Sequence, residues 1–448
     1  MMMNQEQFIE VAKRYSKIAL FRELSADHLT PVQAFIALEG SCLLESDAES
    51  AGRHSFIGAD PMVTLSDPED GFEALKKLLG KVYAKHPLAL FTGGPVGYAA
   101  YDAIRYIESI PDRRAEEKRF PDLFFNIYRT SAIFDHRGSR MALGHIVEVG
   151  ENPAEDFLRG IAELDRLEEK LLAPIRLPVL ELGDPKVVRD EVTDAAYEEM
   201  VLRAKEHILA GDVFQIVPSR TFRTSCNDAF ALYRRLRQES RAPYHFYFDL
   251  KDRQILGASP EKLISVQGRV IETMPIAGTR PLEADPAELL ADPKERAEHL
   301  MLVDLARNDL GAVSEIGSVA VKELLQVRKF PHVMHIVSTV RGTLREGLDS
   351  IDAFKASFPA GTLTGAPKIR AMELLDEIEP SRRGLYGGAI VAIDSVGNLD
   401  SCIAIRMGVV EKGELAVRAG AGIVYDSNPK NEAEETRMKA KSILAVGL

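Results

Sequence analysis

Hydrophobic and polar positions change rhythm along this 448-residue chain. Over residues 1–150, short alternating runs such as Pro31–Leu38 and Phe124–Phe134 are separated by turns such as Gly93-Gly94-Pro95, a pattern of strands. Residues 153–172 predict a charged amphipathic helix with Phe157, Ile161, Leu164 and Leu167 on one face. Pro174, Pro178, Gly183 and Pro185 then mark 173–186 as a linker. The predicted organisation is therefore an N-terminal domain, 1–172, and a C-terminal domain, 187–448.

Beyond the linker the periods sharpen. Thr193 or Asp194 caps a helix whose face is Tyr197, Val201, Ala204 and Ile208, and Gly211 ends it. Val213–Val217 reads as a buried strand. Further helices open at Asp292-Pro293-Lys294-Glu295, after Thr364-Gly365-Ala366-Pro367 (running to Glu379), and at Asn431, where Glu434 has capping-box spacing. Predicted strands are Gln254–Gly257, Leu263–Val266, Arg269–Glu272, Gly388–Asp394, Ile403–Val410 and Leu415–Gly420. Strands and helices do not alternate strictly, which predicts an α+β fold with antiparallel sheets.

Composition narrows the function. The chain is 46% hydrophobic and 28% charged, as an ordinary globular protein is. A net charge of -12 counts against a nucleic-acid binder. Three scattered cysteines, Cys42, Cys226 and Cys402, with no CxxC, do not build a disulfide framework. No apolar run reaches the length of a membrane span, and MMMNQEQF lacks the apolar core of a signal peptide. The expected setting is a reducing cytoplasm. Tryptophan is absent.

Several motifs can carry chemistry. Glu295, Glu298, His299 and Leu302 share one helix face, and Glu432, Glu435, Thr436 and Lys439 share another. One inward carboxylate from each helix could hold Mg²⁺, which takes few protein ligands; a solvated charged face is the alternative. Gly361–Lys368 leads into a helix start, an anion site or a plain turn, and it is not a Walker A loop. Met274–Arg280 and Gly420-Ala421-Gly422 let backbone approach a ligand, or are tight turns. Arg406 lies between apolar strand neighbours, facing solvent or a buried anion. His335 sits in an apolar segment and Glu261 follows Ser259-Pro260. Each reading stays open when taken alone.

Together these segments resemble the chorismate-utilising enzymes, in that family's order and nearly end to end. They are LLES at 43–46, FQIVPSR at 214–220, SPE at 259–261, PIAGTR at 275–280, EHLMLVDLARNDLG at 298–311, HVMHIVSTVRG at 332–342, PAGTLTGAPKIRAME at 359–373, YGGAI at 386–390, DSCIAIR at 400–406 and AGAGIVYDSNPKNEAEET at 419–436. The likeness is greatest to the anthranilate-forming members. It implies two roughly orthogonal antiparallel β-sheets with flanking helices around a central cleft. It implies that chorismate and ammonia become anthranilate and pyruvate. By resemblance, Glu298 and Glu435 are Mg²⁺ ligands, and Gly278, Thr279, Tyr386, Arg406, Gly420, Ala421, Gly422 and Lys439 belong to the substrate set. Glu261 is the general acid for the departing hydroxyl, His335 assists pyruvate elimination, and Thr364 lines the cleft.

Two positions choose among members. Family members that add water resemble this chain but carry lysine where Gln215 stands, and aminodeoxychorismate synthases carry lysine where Ala277 stands. An aminodeoxychorismate synthase component without its lysine, and a non-catalytic tryptophan-binding regulator, are the rival readings. None of the three cysteines lies in a glutaminase-type elbow, so ammonia is expected from a separate glutamine amidotransferase subunit in a hetero-oligomer. The resemblance also implies tryptophan inhibition at Glu45, Ser46, Pro243, Tyr244 and His245, although Ser240, Arg241 and His245 depart from the family pattern.

Overall fold

The computed structural model describes residues 3–46, 54–114, 120–175, 177, 187–329 and 333–445. Its sheets grow from two long strands, His54–Ser66 and Leu123–Asp135. They pair along their whole length, and the register slips between Pro61 and Val63. Proline offers no N–H to the ladder, and a bulge bends a strand.

On one side of that slip, Cys42–Glu45 adds to His54–Ser66. Then come Tyr244–Asp249, Arg253–Ser259, Met407–Glu411, Glu414–Gly420 and Ser219–Ser225. On the other side, Val96–Ala99 pairs with Leu123–Asp135. It passes the sheet on to Ala389–Ile393, Leu399–Ile403, Lys262–Gln267, Val270–Thr273 and Val333–Thr343. All these pairs are antiparallel, and helices flank them, so the molecule is α+β as the patterning predicts. Ala389–Ile393 is buried throughout, which explains its unbroken apolar run. Among the described residues no helix is long and apolar enough to cross a membrane.

The boundary at 173–186 is not a spatial division. Cys42–Glu45 pairs with Tyr244–Asp249, and Val96–Ala99 with Ala389–Ile393, so both arms of the sheet contain chain from either side. One core joins Phe8, Leu20 and Leu143 to Leu236, Leu415 and Ile443. Of the linker, residues 176 and 178–186 lie outside the described residues.

Most predicted elements are present, with some corrections. Pro31–Ala37 is a helix, because Thr30 and Gln33 form a capping box and Pro31 takes a first-turn position. Of Val213–Val217, only Gln215–Ile216 enters a ladder, with Gly365–Ala366. The last helix begins at Pro429, capped by Asn428 rather than Asn431. Helices Ala229–Glu239 and Ser350–Ser357 and strand Ala320–Lys329 are additional.

A buried ionic cluster fastens several elements together. Glu379 ends the helix Lys368–Ile378. Its carboxylate accepts from Ser219 N (2.8 Å) and Oγ (2.8 Å), Arg383 Nη2 (2.7 Å) and Arg418 Nη2 (2.9 Å). Arg383 also donates to the carbonyls of Leu363 and Val217, each at 2.6 Å. Burial alone would raise the Glu379 pKa, but the two guanidiniums outweigh it and hold the carboxylate below its usual range.

Removing one partner of such a cluster strands the other charges. Glu379→Gln should therefore cost about 3–5 kcal/mol. Arg307→Ala, which breaks an exposed pair with Asp304, should cost less than about 0.5 kcal/mol. Urea unfolding midpoints check this, and similar losses for the two variants would contradict it.

Candidate active site

Glu261 immediately precedes the strand Lys262–Gln267. Its backbone carbonyl accepts from Ile403 N (3.0 Å), which fixes it against the neighbouring strand. Thr362 Oγ1 donates to its Oε1 at 3.1 Å. Burial lifts its pKa to about 7, against the weaker opposing effects of Thr362, Arg406 and Lys439. This carboxyl is thus able to hold a proton near neutrality, as an acid catalyst must.

Arg406 is not inside a strand. The predicted strand Ile403–Val410 breaks between Leu399–Ile403 and Met407–Glu411, and Arg406 takes φ 49° in the gap. That left-handed backbone costs a side-chain-bearing residue roughly 1–3 kcal/mol. The break directs the guanidinium inward. Among the described residues it makes no hydrogen bond or ion pair, and burial lowers its pKa while Tyr386, Glu435 and Glu261 pull the other way. A buried guanidinium without a direct carboxylate partner is built to receive an anion.

His335 lies in the strand Val333–Thr343. Its Nδ1 is 2.7 Å from the Gly278 carbonyl. A carbonyl only accepts, so Nδ1 carries the proton and Nε2 of the neutral ring keeps its lone pair. Burial lowers the histidine's pKa, assisted by Arg406. Gly278 itself has φ 68°, and a Cβ there would sit 3.1 Å from the Glu295 carboxylate, so glycine is required. The Thr279 side chain lies outside the described ones.

Tyr386, Gly420, Ala421 and Gly422 form another wall. A Cβ on Gly420 would meet the Tyr386 hydroxyl at 3.0 Å and the Pro218 carbonyl at 2.7 Å. Lys439 Nζ holds the Gly420 carbonyl (3.0 Å) and Glu435 (2.6 Å). Ala421 N is bonded to Tyr197 Oη at 3.3 Å. Thr364 is fully buried, and its hydroxyl is spent on the Ala360 carbonyl at 3.0 Å. The threonine that reaches Glu261 is Thr362, two residues earlier, which sequence reading passed over.

Two helices bring carboxylates together. Glu295 and Glu298 lie on Pro293–Gly311, and Glu432 and Glu435 on Pro429–Leu444. Burial and then the negative charges of Glu295 and Glu435 raise the Glu298 pKa, and burial and Glu435 raise that of Glu432. Arg280 occupies Glu295 at 3.0 Å, whereas Glu298 accepts no hydrogen bond and forms no ion pair among the described residues. Among those residues no three His, Cys, Asp or Glu side chains form a closed metal cage. The arrangement fits a hard divalent ion that takes two carboxylates and completes its shell with ligand and water oxygens.

The remaining predicted set lies elsewhere. Glu45, Ser46, Tyr244 and His245 line a cavity of about 680 Å³ beside Lys262, Asp400 and Cys402. Glu45 already accepts from Tyr233 (2.6 Å) and Arg237 (2.7 and 2.8 Å). Ser46 Oγ donates to the His54 carbonyl at 2.7 Å. Pro243 precedes Tyr244 in the chain and is buried, but it does not line the cavity.

Comparison with known proteins follows the same outline. Residues 39–445 match the family described as chorismate binding enzyme. Anthranilate synthase component 1 of Streptomyces coelicolor is 41% identical, over 97% of this chain and 89% of the relative. The Bacillus subtilis protein of the same name is 40% identical, over 98% and 94%. The crystal structure of anthranilate synthase component I from Streptococcus pneumoniae superposes with a TM-score of 0.80 at 35% identity, over 94% of this chain and 99% of that one. The menaquinone-specific isochorismate synthase of Escherichia coli, 18% identical with a TM-score of 0.76, shares the fold.

Glu261 should leave a signature in stability. The folded state keeps its proton up to about pH 7, while the unfolded chain releases it near 4.5. The folded state therefore binds more protons between those values, and this residue's contribution falls as pH rises from 4.5 to 7. Glu261→Gln should stabilise the protein by about 3 kcal/mol at pH 8 and give little at pH 4.5. Denaturant midpoints of both proteins at the two pH values decide this; a gain independent of pH would show that the carboxyl is not desolvated.

Proposed function

This chain belongs to the chorismate binding enzyme family, and from that premise we propose that it converts chorismate and ammonia to anthranilate and pyruvate. What supports the reading is that Glu261, whose pKa burial raises to about 7, lies close enough to Arg406 to feel its charge, as does His335, which is oriented by the Gly278 carbonyl. The near-full-length likeness to proteins named anthranilate synthase component 1 supports it.

Chorismate is a dianion. Arg406 meets one carboxylate, and the Tyr386 wall with the Gly420–Gly422 backbone orients the ring. Glu298 and Glu435 are the residues that would hold Mg²⁺, which when bound supplies positive charge against a substrate carboxylate. Ammonia adds at C2 of the ring, the double bonds shift, and the C4–O bond breaks. Glu261 gives its proton to the departing hydroxyl, which leaves as water. His335 Nε2 then assists removal of the C2 proton. The C3–O bond breaks, pyruvate leaves and the ring becomes aromatic. Ala277 offers no amine for a covalent ring adduct, so ammonia attacks directly.

Ammonia is supplied by a separate glutamine amidotransferase subunit. Cys42, Cys226 and Cys402 are all buried, and burial pushes the Cys42 and Cys402 thiols far up, away from nucleophilic thiolates. Three unpaired thiols also suit a reducing cytoplasm. Tryptophan inhibits by occupying the cavity at Glu45, Ser46, Tyr244 and His245, where its ammonium group adds to the donors on Glu45. Pro243 supports that wall. The strand Lys262–Gln267 borders this cavity and follows Glu261 directly, so a ligand that favours one strand position shifts the acid with it.

One assay series tests the reading. With chorismate, Mg²⁺ and ammonium, the purified chain should develop anthranilate fluorescence, and with glutamine in place of ammonium it should not. Tryptophan should suppress the signal in wild type and much less in Ser46→Phe. Absence of anthranilate with ammonium sinks the assignment, and turnover of glutamine sinks the separate partner.

A second series addresses the metal. Glu298→Gln and Glu435→Gln should each raise the Mg²⁺ concentration for half-maximal rate by about tenfold or more, since an amide is a poor ligand for a hard cation. Circular dichroism should remain that of wild type. An unchanged Mg²⁺ requirement in both variants removes these two as ligands.

A further inference from the structure

Glu261 lines a cavity of about 50 Å³. Glu261 and Thr362 line it on one side, and Ser357 and Asp309 also face it. Asp309 Oδ2 accepts from Lys368 Nζ at 2.8 Å, and these side chains keep 14% and 12% exposure, enough to reach solvent. Ser357 is only 4% exposed, and its Oγ has no hydrogen-bond partner. A buried hydroxyl left without a partner costs about 1–3 kcal/mol. Such a group in a native fold points to a role or to water. A site needs roughly 10–15 Å³ to hold a water together with two or more polar partners, and this cavity offers both.

The proposed chemistry makes a demand on this carboxyl. Each turnover leaves Glu261 as a carboxylate, and the next turnover needs a proton returned to it.

We propose that this cavity is a proton path, in which water links the Asp309–Lys368 pair to Glu261 through the hydroxyls of Ser357 and Thr362. The proposal rests on Glu261 being the acid. A solvent proton enters at the Asp309–Lys368 end, one proton moves along each hydrogen bond, and one arrives on the Glu261 carboxylate. The adding ammonia releases one proton to solvent, so the account of protons closes without another reactant. The groups acting on the two ends are Arg406, Lys439 and Thr362 at Glu261, and Lys368 and Asn308 at Asp309. Ser357 and Asp309 touch neither substrate nor reacting atoms, so they are positioning residues of the relay.

Ser357→Ala is the informative variant, because it removes a hydroxyl that bonds nothing in the protein and should leave the melting temperature unchanged. Asp309→Asn is the second. Rapid mixing with chorismate, Mg²⁺ and ammonium at pH 7 follows anthranilate fluorescence through the first and later turnovers. The expected result is a burst of about half an equivalent of product per site at the wild-type rate, matching the share of Glu261 that starts protonated at pH 7, then a steady state roughly tenfold slower. Chorismate KM should be unchanged, and added imidazolium, a small diffusible acid, should restore the steady rate in the variants while leaving wild type alone. Wild-type steady rates in Ser357→Ala overturn the proposal. So does a loss that is equal in first and later turnovers and insensitive to imidazolium. A wild-type chain that forms no anthranilate overturns the underlying reaction instead, an outcome visible before any variant is made.

Discussion

Glu261 is withdrawn from bulk solvent by the elements around it, and no charged side chain bonds directly to it. Thr362 gives it one neutral hydrogen bond. Arg406 and Lys439 act on it electrostatically without reaching it. A directly paired carboxylate would have its pKa driven down and would lose its proton at neutrality. The same withholding applies to Arg406, whose guanidinium is buried without a direct acidic partner. Both groups are kept incomplete until an anionic ligand arrives, and the fold must supply the stability that such incompleteness removes.

That support comes from places far apart in sequence. Glu379 anchors Arg383, Arg418 and Ser219, and through Arg383 it also holds the Leu363 and Val217 carbonyls. The cluster therefore stiffens the segment bearing Thr362 and the strand leading to Gly420. The contrast within one molecule is informative. Glu379 has its charge fully matched and is structural, whereas Glu261 has no charged partner bonded to it and keeps a raised pKa. The two arms of the sheet add a second layer of support, because Cys42–Glu45 and Val96–Ala99 are strands within surfaces built mainly by the C-terminal half. The strand Lys262–Gln267 thus has Glu261, the proposed acid, just before its start and the 680 Å³ cavity along its side.

Local signals carried much of this architecture. The helices at Asp194, Pro293 and Lys368 were legible because a cap, a proline or a glycine punctuated each one. The carboxylate faces were legible from i, i+3 and i+4 spacing, although spacing alone could not separate a solvated face from Glu298 and Glu432 raised by burial. The roles proposed for Glu261, His335 and Arg406 rest on resemblance, and the geometry is compatible with them. Other features had no local signal. The left-handed break at Arg406 is invisible because its neighbours Ile405 and Met407 read as continuous strand. Thr362 and Thr364 look equivalent in sequence, and only helix direction decides which hydroxyl meets Glu261 and which turns back to Ala360. The weaving of both halves through shared sheets is a tertiary property that the proline-rich stretch at 174–185 concealed.

The most direct test of unmatched burial at Glu261 is an infrared titration. The difference spectrum between wild type and Glu261→Gln isolates the stretch of one protonated carboxyl. Followed from acid to alkaline pH in the free protein, that band should disappear with a midpoint near the value of about 7 that burial imposes. A midpoint near 4.5, the value of a carboxyl in water, would contradict the account, because Glu261 would then be ionised at neutrality with no proton to give.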